Sequence, residues 1–248
     1  MSEVHMNFKD ELSAFDYLLF RGESSPNTRS PLLTVVVLET VPNFAAFERV
    51  IDRTSRNFIR LRQKVVSPSK TWVAPRWIVD PDFEMNYHLR RVSLASPGSK
   101  DQLLALADQI NSSPFDLCRP LWEFTLVEGL NDMGGKAALI MKVHHAVTDG
   151  IGAVMMLRQL FETQANAPER EMPLVPVPEE ISPDQITKEA TRKMIGRLLP
   201  MTRTNIDLGL GLAKRGLSKP IDSATELLEY GESAKRTFSE QSIHASPL

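Results

Sequence analysis

Two adjacent histidines precede a carboxylate and a glycine in the stretch His144-His145-Ala146-Val147-Thr148-Asp149-Gly150. An imidazole suits general-base work near neutral pH because its unperturbed pKa is ~6.5. To take a proton from a hydroxyl it needs the right tautomer, a fixed ring and a pocket poor in water. Successive side chains on a strand point to opposite faces. If a strand runs through the pair, His144 and His145 look in opposite directions. That disfavours a two-histidine metal clamp and leaves one working histidine. Asp149 can fold back to brace the turn, and Gly150 permits an unusual backbone angle or the close approach of a substrate. On spacing alone, a pair of hydrogen-bonded surface histidines fits as well.

Such a turn must be held by its neighbours. The apolar run Ala137 to Val143 reads as the strand leading in, and Ile151 to Phe161 as the helix leading out. Leu121 to Leu130 alternates as a strand, and Asn131-Asp132-Met133-Gly134-Gly135 joins it to the histidine strand as a hairpin. Upstream, Lys9 to Phe20 reads as an amphipathic helix with Leu12, Phe15, Leu18 and Leu19 inward, and Ser13 to Asp16 as packing within it. Pro31 to Thr40 reads as a buried strand. Phe44, Phe47, Val50, Ile51 and Phe58 mark a helix face. Phe58 to Val66 reads as a half-exposed strand with Arg60, Arg62 and Lys64 outward, paired with Trp72 to Val79, where Pro75 signals an edge or bulge. Tyr87 to Val92 reads as extended, and Ser99 to Ile110 as a helix packed through Leu103, Leu104, Ala107 and Ile110.

Composition narrows the classes. The 248 residues suit one large domain, or one domain plus a tail, and 42% hydrophobic content supports an ordinary core. A net charge of -2 gives no reason to expect a nucleic-acid surface. The single cysteine, Cys118, excludes an internal disulfide and a cysteine-based zinc cage. No carboxylate or histidine cluster offers a metal site at familiar spacing. The N-terminus lacks the basic-then-apolar pattern of a secretory signal. The longest apolar block, Leu32 to Leu38, is far short of the ~18–20 residues of a spanning helix. A cytoplasmic protein, soluble or peripheral, is expected.

The wider pattern resembles the bacterial wax ester synthase/acyl-CoA:diacylglycerol acyltransferase family, within the CoA-dependent acyltransferase superfamily. The resemblance runs in order from Ser13 to about Phe161. It includes Ser13-Ala14-Phe15-Asp16, Asp80-Pro81-Asp82-Phe83, His88-Leu89-Arg90-Arg91, Arg119-Pro120-Leu121-Trp122-Glu123 and the histidine stretch. It implies a chloramphenicol acetyltransferase-like α/β sandwich with a mixed, largely antiparallel sheet, and O-acyl transfer from acyl-CoA to diacylglycerol or a long-chain alcohol. By the same resemblance His145 would be the general base. His144 and Gly150 would support the turn, and Asp149 would pair with an arginine, Arg21 or Arg29. Pro120, Leu121, Trp122 and Glu123 would shape core and tunnel wall, with core packing the expectation for Trp122. Acyl-CoA would be substrate, no tightly bound cofactor is implied, and Cys118 needs no role.

Family members are usually about twice as long, with two similarly folded halves that meet at the motif. The expected organisation here is a half-domain over residues 1–164, a Pro-rich linker over 165–183, and a basic helical connector and tail over 184–248, without the second half. Activity would then need a second-half chain or self-association. The alternatives are a non-catalytic lipid- or CoA-binding remnant, or a membrane-surface or partner-docking protein that uses the basic helix.

Overall fold

The computed structural model describes residues 10–148, 150–161 and 170–195. The chain divides into two compact units, Met1–Lys188 and Glu189–Leu248, and only residues 189–195 of the second unit, all helical, are described. The remaining sequence expectations for the basic tail lie outside the described residues.

The histidine hairpin forms the centre of the first unit. β5 (Trp122–Glu128) and β6 (Ala137–His144) pair antiparallel, with Trp122 opposite Val143 and Glu128 opposite Ala137. Met133 and Gly134 take positive φ values of 57° and 72° in the connection, where glycine is free of the Cβ penalty. β1 (Pro31–Leu38) lines the other side of β6, antiparallel, with Pro31 opposite His144. β4 (Leu89–Ser93) joins β5 in parallel, Leu89 opposite Phe124. The sheet order is therefore β1-β6-β5-β4, a mixed sheet with mostly antiparallel neighbours, as expected. β2 (Gln63–Val66) and β3 (Arg76–Val79) form a separate two-stranded antiparallel ribbon.

The helices bury the two faces of the sheet. Odd-numbered β6 side chains Leu139, Met141 and Val143 join Trp122 and Phe124 in one core. Ile51 of α2 (Phe44–Asn57) and Met156 and Leu160 of α5 (Gly150–Leu160) close it. Ala138, Ile140 and Val127 face the other way, onto Leu103 and Ala107 of α4 (Lys100–Ser112). Caps fix where the helices begin. Asn43 accepts from Ala46 N–H before α2, and Ser99 with Gln102 makes a reciprocal capping box before α4. Ser13 accepts from Asp16 N–H before α1 (Ala14–Gly22). A one-turn α3 (Met85–His88) precedes β4.

Several local expectations are corrected. The first helix starts at Ala14, because Ser13 caps it, and Phe15 and Leu18 are exposed. β1 is a sheet edge and is only half-buried, although its run of Leu and Val reads as an inner strand. Residues Ile59–Arg62 form a 3-10 turn, so Arg60 and Arg62 point inward. Arg62 pairs with Asp52 and donates to Ser55 Oγ, and Arg60 lies 4.6 Å above the Trp77 ring. Period-two alternation misreads this stretch because the charged positions have buried partners. Leu104 of α4 faces solvent.

The Pro-rich segment is extended over 170–182, and its backbone there is tied to the body. Glu179 N–H donates to Val79 O at 3.1 Å, and Pro173 O accepts from Arg56 at 2.9 Å. Ser69 meets Asp184 and Thr187 at the start of the helix over 183–195.

Trp122 carries the largest fully buried side chain. Its indole N–H donates to Leu61 O at 2.7 Å, and its ring stacks on His88 at 4.6 Å. Trp122→Ala should lower unfolding stability by about 3–5 kcal/mol, measured by urea denaturation of the full chain.

Candidate functional site

The chemistry-bearing residues collect at one end of the sheet, where β6 ends and β5 and β1 begin. His144 is the last residue of β6 and is fully buried. Its backbone N–H donates to Leu121 O at 2.9 Å, and its carbonyl accepts from Val147 N–H at 2.9 Å. A reverse turn follows, in which Ala146, Val147 and Thr148 are buried and His145 is half-buried. The two rings therefore sit in different environments, but the strand ends at His144, so the turn and not strand alternation separates them. His145 meets the edge of Phe15 at 6.3 Å and 85°.

The tautomer of His144 follows from its neighbours. Nδ1 accepts from Ala146 N–H at 3.0 Å, so the neutral ring carries its proton on Nε2. Burial, together with the nearby His145, pushes His144 down to about 4. The Leu19 backbone favours the protonated ring, but Nε2 makes no hydrogen bond in the observed geometry. Glu23 Oε2 lies 3.8 Å away.

Glu23 belongs to a buried polar cluster that periodicity did not find. Its Oε1 accepts from Phe115 N–H at 2.9 Å and lies 3.7 Å from Arg29 Nε. Arg29 also donates to the carbonyls of Glu23 and Ser112. Lys142, two residues before His144 and on the same face of β6, is fully buried. Its ammonium donates to Ser113 O at 2.7 Å and Ser113 Oγ at 3.1 Å, and lies 4.2 Å from the Phe115 ring centre. Burial lowers its pKa, opposed by Glu123 and Glu23. Glu123 is its cross-strand partner on β5. A lone lysine inside the apolar run was the available signal, since a buried cation needs acceptors.

The other named residues are placed as follows. Pro120, Leu121, Trp122 and Glu123 are all buried, and Leu121 supplies the carbonyl that receives the His144 N–H. Gly150 opens α5, and an added Cβ there would meet nothing within 4 Å. Asp149 lies outside the described residues, and so does any pairing of it with Arg21 or Arg29. Cys118 is exposed on the loop before β5. His88 is fully buried between Phe83 and Trp122, and donates from Nδ1 to Trp122 O at 2.8 Å. Among the described residues, no group of three His, Cys, Asp or Glu side chains could hold a metal ion.

Comparison with known proteins fits this mixed-sheet, histidine-turn architecture. The profile described as wax ester synthase/diacylglycerol acyltransferase catalytic domain matches residues 12–244, and the chain belongs to that family. A Mycobacterium tuberculosis protein provisionally named a diacylglycerol O-acyltransferase is 37% identical over 239 residues, covering 96% of this chain and 48% of that protein. A Mycobacterium bovis protein with the same provisional name is 35% identical over 127 residues, 51% of this chain and 27% of its own length. The chain thus spans about half the length, or less, of the curated relatives it matches. Among solved structures, the starter condensation domain of rhizomide synthetase superposes with a TM-score of 0.50 at 18% identity. It covers 61% of this chain and 36% of that one, a likeness of fold.

His88 and His144 are both held near 4, below the ordinary 6.5, chiefly by burial. Both are neutral in the fold, and the unfolded chain binds their protons first. Their stabilising effect is complete above about pH 6.5 and is lost as pH falls toward 4. Urea midpoints measured across that window should fall with acid. In His88→Phe the dependence should be shallower by about one proton.

Proposed function

We propose that this chain supplies the base-bearing half of an O-acyltransferase that moves a fatty acyl group from acyl-CoA to diacylglycerol or a long-chain alcohol. His145 takes the hydroxyl proton of the acceptor. The acceptor oxygen attacks the thioester carbonyl, the C–S bond breaks, and the departing sulfur takes the proton back from His145, so that CoA leaves as the thiol and the base is restored. No acyl-enzyme is needed, so Cys118 stays outside the scheme. One observation carries this reading: of the two histidines, His144 is sealed in the core with its Nδ1 committed to Ala146, whereas His145 is only half-buried, on the turn. Pro120 to Glu123 support the turn through Leu121 and Trp122, and tunnel lining is part of the same proposal.

The surroundings of His145 argue for a partner. Phe15 and Leu18 on α1 are 61% and 69% exposed, and Ile151 and Val154 on α5 are 70% and 52% exposed. A water-poor pocket would need these apolar residues covered, and a second, similarly folded half is the partner we propose for them. Acyl-CoA-dependent ester formation should appear with the chain alone or with such a partner, and fall to background in His145→Ala. Activity no higher than that control would remove the catalytic reading. Saturable acyl-CoA binding without turnover would instead identify a non-catalytic lipid-binding remnant.

Cytoplasmic placement, with peripheral attachment to a membrane or lipid-droplet surface, completes the proposal. No helix among the described residues is long and apolar enough to cross a membrane. Lys188, Arg192 and Lys193 on the helix over 183–195 supply the basic charge. Co-sedimentation of the full chain with anionic vesicles should drop when all three are replaced by glutamine, and undiminished binding would remove the attachment.

A further inference from the structure

Two buried polar atoms face one another unsatisfied at the end of β6. Glu23 Oε2 and His144 Nε2 are both closed to water, lack hydrogen-bond partners and stand 3.8 Å apart. The first is an acceptor. The second carries the ring proton, because Nδ1 already accepts from Ala146 N–H. Leaving both unmade costs free energy, so donor and acceptor have reason to join. A carboxylate shift of about 1 Å brings them to ordinary hydrogen-bond length.

We propose that Glu23 is a positioning residue, accepting the Nε2–H of His144 and thereby fixing the turn that presents His145. The inference rests on the reading of His145 as the base. The chain of contacts is short. Glu23 holds the ring at Nε2, the ring holds Ala146 at Nδ1, and Ala146 follows His145 directly. A rotated His144 ring releases the Ala146 N–H, and the turn is then no longer pinned from inside. Glu23 is itself held by Phe115 N–H through its other oxygen, and its own N–H closes the end of α1 on Phe20 O. α1 therefore grips both histidines, Glu23 at His144 and Phe15 at His145. The geometry that aims a catalytic imidazole is set by the groups bonded around it, and small displacements of a reacting group are costly.

Glu23→Gln separates this role from simple filling of space. Glutamine has nearly the same shape but one acceptor oxygen, and two N–H donors, from Phe115 and His144, require one. With the oxygen kept by Phe115, the amide NH2 meets the His144 Nε2–H as donor against donor.

The test uses the full chain. Long-range 15N–1H spectra of histidine-labelled protein, assigned with His145→Ala, read the tautomer, and amide hydrogen exchange reads the turn. The wild type should show His144 protonated at Nε2. In Glu23→Gln the His144 signals should shift and the Ala146 amide should exchange about tenfold faster, while the Phe115 amide keeps its protection. A wild-type ring protonated at Nδ1 overturns the proposal. So does an unchanged Ala146 amide in Glu23→Gln, which would assign the ring to the Leu19 carbonyl. Equal loss of protection along all of β6 overturns it too, because that reports lost packing. Where acyl transfer is measurable, Glu23→Gln should lower kcat more than it alters KM. Absence of wild-type activity defeats the earlier reading alone, since the tautomer and exchange measurements stand without it.

Discussion

All eight residues of β6 are buried, yet two of them, Lys142 and His144, are polar. A strand with helices on both faces has no water to satisfy such groups, and an unpaired one would cost several kcal/mol. The partners must come from other segments. The loop after α4 sends Ser113 to the lysine, and α1 sends Glu23 toward the histidine. Phe115 joins the two, packing its ring against the ammonium and donating its N–H to the carboxylate. The polar end of one strand thus determines where α1 and the loop between α4 and β5 must lie. His145 inherits its position from that requirement.

The same logic separates what the sequence made legible from what it concealed. Hydrophobic periodicity and turn residues revealed the hairpin, α2, α4 and the pairing of β2 with β3, because burial in those elements follows local rules. The histidine turn was legible from its residues, although its two rings are separated by the end of β6 at His144 and not by alternation within a strand. Glu23 was hidden in a stretch that reads as polar loop, since its partners Phe115 and His144 are about 90 and 120 residues away. Arg60 and Arg62 were misread for a related reason. A charge buried by Trp77, Asp52 or Ser55 looks, one residue at a time, like a solvated charge. The edge position of β1 was likewise unreadable from its leucines and valines, because sheet order is set by distant pairing.

Half the length of the relatives changes how the exposed apolar residues are understood. Phe15, Leu18, Ile151 and Val154 come from the two helices that flank the histidine turn. Scattered surface hydrophobics need no explanation, but Phe15 among these meets the edge of His145, the half-buried member of the pair. The core beneath them is already complete, with Met156 and Leu160 turned inward from the same helix as Ile151 and Val154. Ile151 and Val154 thus lie outside that core, and a cover over them would serve the chemistry proposed for His145.

The extended segment over 170–182 is fastened mainly through its main chain. Pro173 offers its carbonyl to Arg56, Glu179 offers its N–H to Val79, and just past the segment Pro183 offers its carbonyl to Ser69. Leu174 and Val177 in the same segment stand almost wholly in solvent. Anchors of this kind place few demands on side-chain identity. Its composition can drift between relatives while its path across the body is kept, and insertions that break the spacing between those carbonyls and that amide should be rarer than substitutions along it.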